Sequence, residues 1–279
     1  MQPFDVKQPN RPTRDSAVED QYEGAAAAAG YAAAHDGWGA TARFFHSRLH
    51  AVLAAIAECP GGELIDVGCG PGMLVQRLLD TRPADFKITA CDLSPAMVAA
   101  AAARAGDAGV HTMVARIEDL PVPDGGFDVV LAMGVLEYAD ADQGLRELAR
   151  IVRPNGLVLV TMLNPRSIYR LFEWSIWWPA LRLLGRLEKL VGVPVAKRHG
   201  APITGIRAYS RRALCGKLRD LGLRPEDVVY FDLTPVPPPF DRVVRKFSRR
   251  WRAHPERTAT RGLRRWMGTA YLVTARRTP

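Results

Sequence analysis

Two acids and a glycine-rich turn are the residues best placed, by type and spacing, to hold a ligand. Leu64-Ile65-Asp66-Val67 reads as a short buried strand, Gly68-Cys69-Gly70-Pro71-Gly72 as a turn, and residues 73–79 as the start of a helix. Glycines let a ligand approach the backbone, and the free N–H groups at a helix N-terminus face it. The next strand ends on a second acid, Asp92, at the distance where a carboxylate takes the two hydroxyls of a ribose. The result is a nucleotide-cradling loop. The glycine run alone could be no more than a tight turn; joined to Asp66 and Asp92 it is far more specific. Met73 stands where the dinucleotide fingerprint G-x-G-x-x-G needs its last glycine, so that fingerprint is excluded.

The elements that must position these acids alternate. Residues 63–67, 86–92, 110–115, 127–133 and 157–163 read as strands. Residues 71–80, 94–105 and 140–152 read as helices, the second capped by Ser94 with Pro95 at its first position. Such alternation argues for an α/β fold with a parallel, doubly wound sheet. Residues 267–276 read as a final strand. Upstream, residues 16–34 are alanine-rich and helix-prone, Gly37-Trp38-Gly39 breaks the pattern, and Thr41 is a candidate cap for a helix at 42–58.

Composition is that of a globular protein, 48% hydrophobic and 24% charged over 279 residues. The polar, proline-rich start reads as disordered rather than as a signal peptide, and no apolar run reaches the roughly 18–20 residues of a membrane span. Cys59, Cys69, Cys91 and Cys215 have neither disulfide nor metal spacing, which fits a reducing cytoplasm and no metal site. The net charge of +9 is uneven: residues 1–165 carry 13 basic and 21 acidic side chains, residues 166–198 carry 7 and 2, and residues 241–279 carry 12 and 2. An acidic core with basic additions points to an anionic partner for the additions, or to a solvated basic face.

The pattern D-x-G-x-G-x-G at 66–72 resembles motif I of the class I S-adenosylmethionine (SAM) methyltransferases, of the small-molecule, UbiE-like type. The resemblance continues through Ile117-Glu118-Asp119-Leu120-Pro121, Phe127-Asp128-Val129-Val130, Val135-Leu136-Glu137-Tyr138, the turn at 148–157 and Arg207-Ala208-Tyr209-Ser210. It implies a Rossmann-like seven-stranded sheet with an antiparallel last strand, N-terminal helices and a helical lid. The expected organisation is a disordered N-terminus (1–15), an N-terminal helical cover (16–58), a SAM-binding core (59–164), a lid or acceptor insertion (165–203) and the rest of the core with a basic helical addition (204–279, the addition at 235–266).

The same resemblance implies SAM as cofactor, with S-adenosylhomocysteine as product, and assigns roles. Gly68, Gly70 and Gly72 form the loop, and Asp66 serves the amino-acid end of the cofactor. Asp92 takes the ribose, Leu93 lies against adenine, and Met133 stands at the cleft mouth. The family usually carries an acid near adenine N6, where this chain has Arg116; an Arg cannot accept that hydrogen bond, so Ile117, Glu118 or Asp119 is expected to replace it. Tyr22 and Tyr31 match loosely a tyrosine that faces the methyl group, and Tyr138 an acceptor-facing side chain. His199, alone of six histidines in the lid addition, is the best placed base. Trp174, Trp177, Trp178 and Leu181 recur at helical spacing and form either a roof over the acceptor or a face packed on the core.

The expected function is methyl transfer to a small hydrophobic or amphipathic acceptor, at oxygen, in specialised or lipid metabolism. The alternatives are C-methylation of a prenyl or quinone-like acceptor, a nucleic-acid-associated methyltransferase, or a non-catalytic SAM binder. Leu131-Ala132-Met133-Gly134 lacks an N-P-P-Y-type signature, which argues against base methylation, and nucleic acid is not the expected partner. Cytoplasmic location with a peripheral membrane contact completes the expectation.

Overall fold

The computed structural model describes residues 25–36, 40–194, 206–234 and 266–279. The elements are α1 (Ala25–Asp36), α2 (Ala40–Ala55), β1 (Gly62–Val67), α3 (Met73–Thr81), β2 (Phe86–Asp92), α4 (Pro95–Ala105), β3 (His111–Val114), β4 (Phe127–Ala132), α5 (Ala141–Ile151) and β5 (Val152–Leu163). Next comes a helix in three parts: α6 (Ile168–Phe172), a π turn (Glu173–Trp177) and α7 (Trp178–Leu190). The chain closes with α8 (Arg211–Asp220), β6 (Leu223–Leu233) and β7 (Gly268–Arg277). The strands form one seven-stranded sheet in the order β3-β2-β1-β4-β5-β7-β6. Strands β1 to β5 pair in parallel, and β7 runs antiparallel between β5 and β6.

Strand alternation divides the core into two layers. Leu64, Val129, Leu131, Leu159 and Leu272 point to the face covered by α2, α3 and α4, with Val52, Leu74, Leu78 and Ala101. Ile65, Val67, Val130, Val158 and Val273 point to the other face, under Leu145 and Leu148 of α5 and Leu214 and Leu218 of α8. Strands buried on both faces read as continuous apolar runs, which is why β4 is visible as Phe-Asp-Val-Val-Leu-Ala. Strand order reverses at the β1/β4 junction, so a crevice opens at the carboxyl ends of β1, β2 and β4, where this architecture binds ligands.

Boundaries differ from the sequence reading for identifiable reasons. β5 starts at Val152, which already pairs with Phe127; the turn expected at Pro154-Asn155-Gly156 is an irregularity inside the strand, with Asn155 at φ 62°. α3 begins at Met73 because Gly72, left-handed and without a side-chain cap, occupies its N-cap. Thr41 lies inside the first turn of α2 rather than capping it. The insertion helix is capped by Ser167, which accepts from the Arg170 N–H at 3.1 Å, while Asn164 bridges to the Gly268 carbonyl at 2.9 Å.

Candidate active site

The crevice is a cavity of about 570 Å³, within the usual range for a small-molecule site. The β1 turn contributes Val67, Gly68 and Gly70; the end of β2 contributes Asp92, Leu93 and Ser94. Ala115 to Glu118 form a second wall, the segment after β4 supplies Met133 to Val135 and Glu137 to Ala139, and α1 and α2 close it with Tyr31, Phe44, Phe45 and Arg48. The turn is held by the Gly68 and Cys69 N–H groups, which donate to the Cys91 carbonyl at 2.7 and 2.9 Å. Gly68 sits at φ 73°, and a Cβ there would come within 2.1 Å of Val135 Cγ2. A side chain at this position would therefore push the two rims of the crevice apart.

Three acids meet at this end of the sheet. Asp66 is fully buried, and neither carboxylate oxygen has a hydrogen-bond partner. Burial pushes its carboxyl up to about 7, helped by Asp92 and opposed by Arg48. Asp92 accepts from the Gly70 N–H at 2.9 Å and the Ser94 N–H at 3.0 Å, tying the glycine turn to the start of α4. Burial raises its carboxyl too, while those backbone donors lower it. Glu137 is buried, accepts from the Leu163 N–H at 3.2 Å, and is also pushed by burial to about 7, against the pull of Arg48 and Arg170.

Arg48 is the cation among them. It projects from α2, lies over the rings of Phe44 and Phe45 and donates to the Tyr31 hydroxyl at 2.9 Å. Gly134, at φ 70°, makes the room: a Cβ there would sit 2.2 Å from Arg48 Nη1. The Gly134 N–H is fixed by Thr161 Oγ1 at 2.9 Å.

Of the sequence-based candidates, Gly68, Gly70, Asp92, Leu93, Ile117, Glu118, Met133, Tyr31 and Tyr138 all line this cavity. Asp66 lies behind the lining, and Gly72 packs against Ala101 of α4. The Glu118 carboxylate receives the Asp140 N–H at 2.9 Å and Arg116 at 3.8 Å, so Arg116 turns toward Glu118. Trp174, Trp177 and Trp178 do not line the cavity; Trp174 packs on the α2–α4 side of the core, with the Trp178 ring 6.4 Å away. Tyr22 and His199 lie outside the described residues. Sequence reasoning passed over Arg48 and Glu137. Both carried a signal: Arg48 is a charge four residues after Phe44 on an apolar helix side, and Glu137 is an acid in the segment that follows a strand of the parallel sheet.

This donor set suits a nucleoside bearing a charged amino-acid end: a diol acceptor in Asp92, buried unpartnered oxygens in Asp66 for an ammonium, the half-buried guanidinium of Arg48 for a carboxylate, and apolar walls at Leu93, Met97 and Ile117. A family model described as a methyltransferase domain matches residues 65–160. By that match, residues 65–160, about a third of the chain and the part that builds the crevice, are a methyltransferase domain. A malonyl-[acyl-carrier protein] O-methyltransferase from Serratia marcescens is 34% identical over 113 residues, 40% of this chain and 42% of that protein. A ubiquinone/menaquinone biosynthesis C-methyltransferase from Geotalea daltonii is 33% identical over 121 residues, 40% of this chain and 51% of that one. The matched region thus spans about half the length of these curated relatives. Among solved structures, a SAM-dependent methyltransferase from Thermotoga maritima has a TM-score of 0.56 at 18% identity, covering 85% of this chain and 90% of that chain, a likeness of fold.

Proposed function

We propose that this protein transfers a methyl group from SAM to a small hydrophobic or amphipathic acceptor, at oxygen. The observation that carries the reading is the crevice itself: the buried Asp66 and half-buried Asp92 at the ends of β1 and β2 on one side, and an aromatic and aliphatic wall of Phe44, Phe45, Val135 and Leu163 on the other. SAM, when bound, supplies an electrophilic methyl group on a sulfonium. The protein's part is alignment and exclusion of water. In this reading Asp92 accepts from the ribose hydroxyls, Asp66 faces the ammonium, Arg48 pairs with the carboxylate, and Leu93 and Ile117 flank the adenine. Glu137 and Tyr138 face the acceptor, and a carboxyl held near 7 is suited to take a proton from a hydroxyl at neutral pH.

Methylation at carbon is the second reading. Tyr31 and Phe45 stack at 4.7 Å along the cavity wall, and aromatic faces stabilise the positive charge that develops when an alkene attacks a methyl group. One experiment separates these readings and tests both. The protein is incubated with methyl-labelled SAM and a panel of fatty acids, phenols and prenyl compounds, and label transfer is followed. Transfer to a hydroxyl or carboxylate supports the first reading and transfer to a prenyl carbon the second. SAM binding, seen as a raised Tm, without transfer to any member of a broad panel counts against both.

A further inference from the structure

Ten large hydrophobic side chains stand exposed among the described residues, and eight of them lie between positions 168 and 191. They are Ile168, Leu171, Ile176, Leu183, Leu184, Leu187, Leu190 and Val191, and Leu190 is 81% exposed. Neither the π turn nor α7 buries a single residue. Such a concentration is unlike the scattered apolar exposure of an ordinary surface.

The π turn aligns this set. In an uninterrupted α-helix, the five residues from Leu171 to Ile176 would leave the two side chains about 140° apart. The Trp178 N–H instead bonds to the Glu173 carbonyl, an i to i+5 step that widens the turn and narrows that angle, so Ile176 comes nearer to the side of the helix that holds Leu171. From Ile176 the face continues through Leu183, Leu187 and Leu190, with Leu184 and Val191 beside them, at three- and four-residue spacing. Arg182, Arg186 and Lys189, all exposed, form a parallel row along one flank. Glu188, the one acid of α7, lies on the other flank and is half-buried; Glu173 is held by Arg170 at 2.5 Å. Trp174 turns the opposite way, toward the core, with the Trp178 ring beside it. No described helix is long and apolar enough to cross a membrane.

We infer that the helix from Ile168 to Leu190 is an interfacial membrane-docking element, which lays its leucine face among lipid chains while Arg182, Arg186 and Lys189 meet anionic headgroups. A leucine face with a basic row beside it is the pattern of a helix lying in the plane of a bilayer, where long cationic side chains extend to the phosphates. The complementarity of that basic row to an anionic surface favours lipid over a second copy of this equally basic chain.

The test is sedimentation of the full chain with vesicles of neutral phosphatidylcholine, alone or with anionic phosphatidylglycerol, at low and high salt. The wild-type protein should pellet with anionic vesicles and be released by salt. Leu183→Glu/Leu187→Glu should weaken partitioning at least about tenfold, because two leucines leave the acyl layer. Arg182→Glu/Arg186→Glu should weaken it and flatten its salt dependence. The thermal shift produced by SAM, read on the same variants, should stay unchanged and shows that they fold. Three results would overturn the inference. One is no pelleting by the wild-type chain. Another is pelleting that the leucine changes leave intact, which assigns binding to the basic segment 235–265. The third is a wild-type dimer that the leucine changes dissociate without any vesicle binding, which assigns the face to a second copy.

Discussion

Arg48 of α2 donates to the Tyr31 hydroxyl of α1 at 2.9 Å, above the end of a sheet whose acids it pulls downward in pKa. Two N-terminal helices are thereby tied to the chemistry of the crevice by one half-buried cation. Arg48→Met should keep the apolar stem and remove the charge. SAM affinity measured by calorimetry should fall about tenfold to a hundredfold, since a charged hydrogen bond contributes roughly 1.5–3 kcal/mol. Tyr31→Phe should cost less, because Arg48 keeps its charge. An Arg48→Met protein that binds SAM as tightly as the parent would remove the carboxylate role.

Asp66 gives a pH dependence whose sign can be worked out. Its folded carboxyl lies at about 7, above the ordinary 3.8. Between those values the folded state holds a proton that the unfolded state has lost, so stability of the ligand-free protein falls as pH rises from about 4 to 7 and is level above that. Asp66→Asn should therefore raise the Tm of the ligand-free protein at pH 8 and change it little at pH 4. An ammonium beside Asp66 needs the carboxylate form, so SAM affinity should fall as pH drops below about 7. Asp66→Asn should bind SAM weakly with a flatter pH profile between 6 and 8. A steep profile preserved in Asp66→Asn would place the titration elsewhere.

Asp92 joins structure to recognition, because its carboxylate already takes the Gly70 and Ser94 N–H groups. An ionised carboxylate has about four acceptor sites, which leaves capacity for a diol. Asp92→Asn keeps one carbonyl oxygen for the backbone and should retain most of the fold's Tm. It should weaken SAM about tenfold or more, and weaken a 2′,3′-dideoxy analogue much less. Equal losses for both nucleosides would confine Asp92 to the loop.

Much of this architecture was legible because its signals are local. The strand at 86–92 and the helix at 95–105 fall where the run Ile88-Thr89-Ala90-Cys91, Ser94 and Pro95 put them. The glycine turn and the acid at Asp92 marked the site because backbone geometry and carboxylate chemistry leave few substitutes. What was not legible depends on distant packing. Arg48 enters the crevice only because α2 crosses the sheet end and Gly134 makes room, more than 80 residues later in sequence. The tryptophan stripe showed its period but not its target, since a helix's phase does not say which face turns inward. The π turn, one residue out of step, left the leucine face unreadable as a single stripe.

The base for an oxygen acceptor has two candidates that kinetics can separate, Glu137 in the cavity wall and His199 in the insertion. With saturating SAM, Asp66 is held as carboxylate, so kcat/KM for the acceptor reports the remaining groups. Glu137 at about 7 must be ionised to accept a proton, and kcat/KM should fall about tenfold per pH unit below that value. Glu137→Gln removes the proton acceptor while keeping an oxygen for the Leu163 N–H. If Glu137 is the base, this variant should lose about 10²–10⁴ in kcat and the acidic limb of the profile with it, while His199→Ala keeps both. The opposite pattern would return the role to His199. A carboxylate acceptor is already anionic and needs no base, and both variants should then stay within about tenfold of the parent with no acidic limb. An alkene acceptor becomes a carbocation once the methyl group has added and must then give up a proton, so label recovered on carbon favours the second reading of the site, with the loss in Glu137→Gln or His199→Ala marking the group that takes that proton.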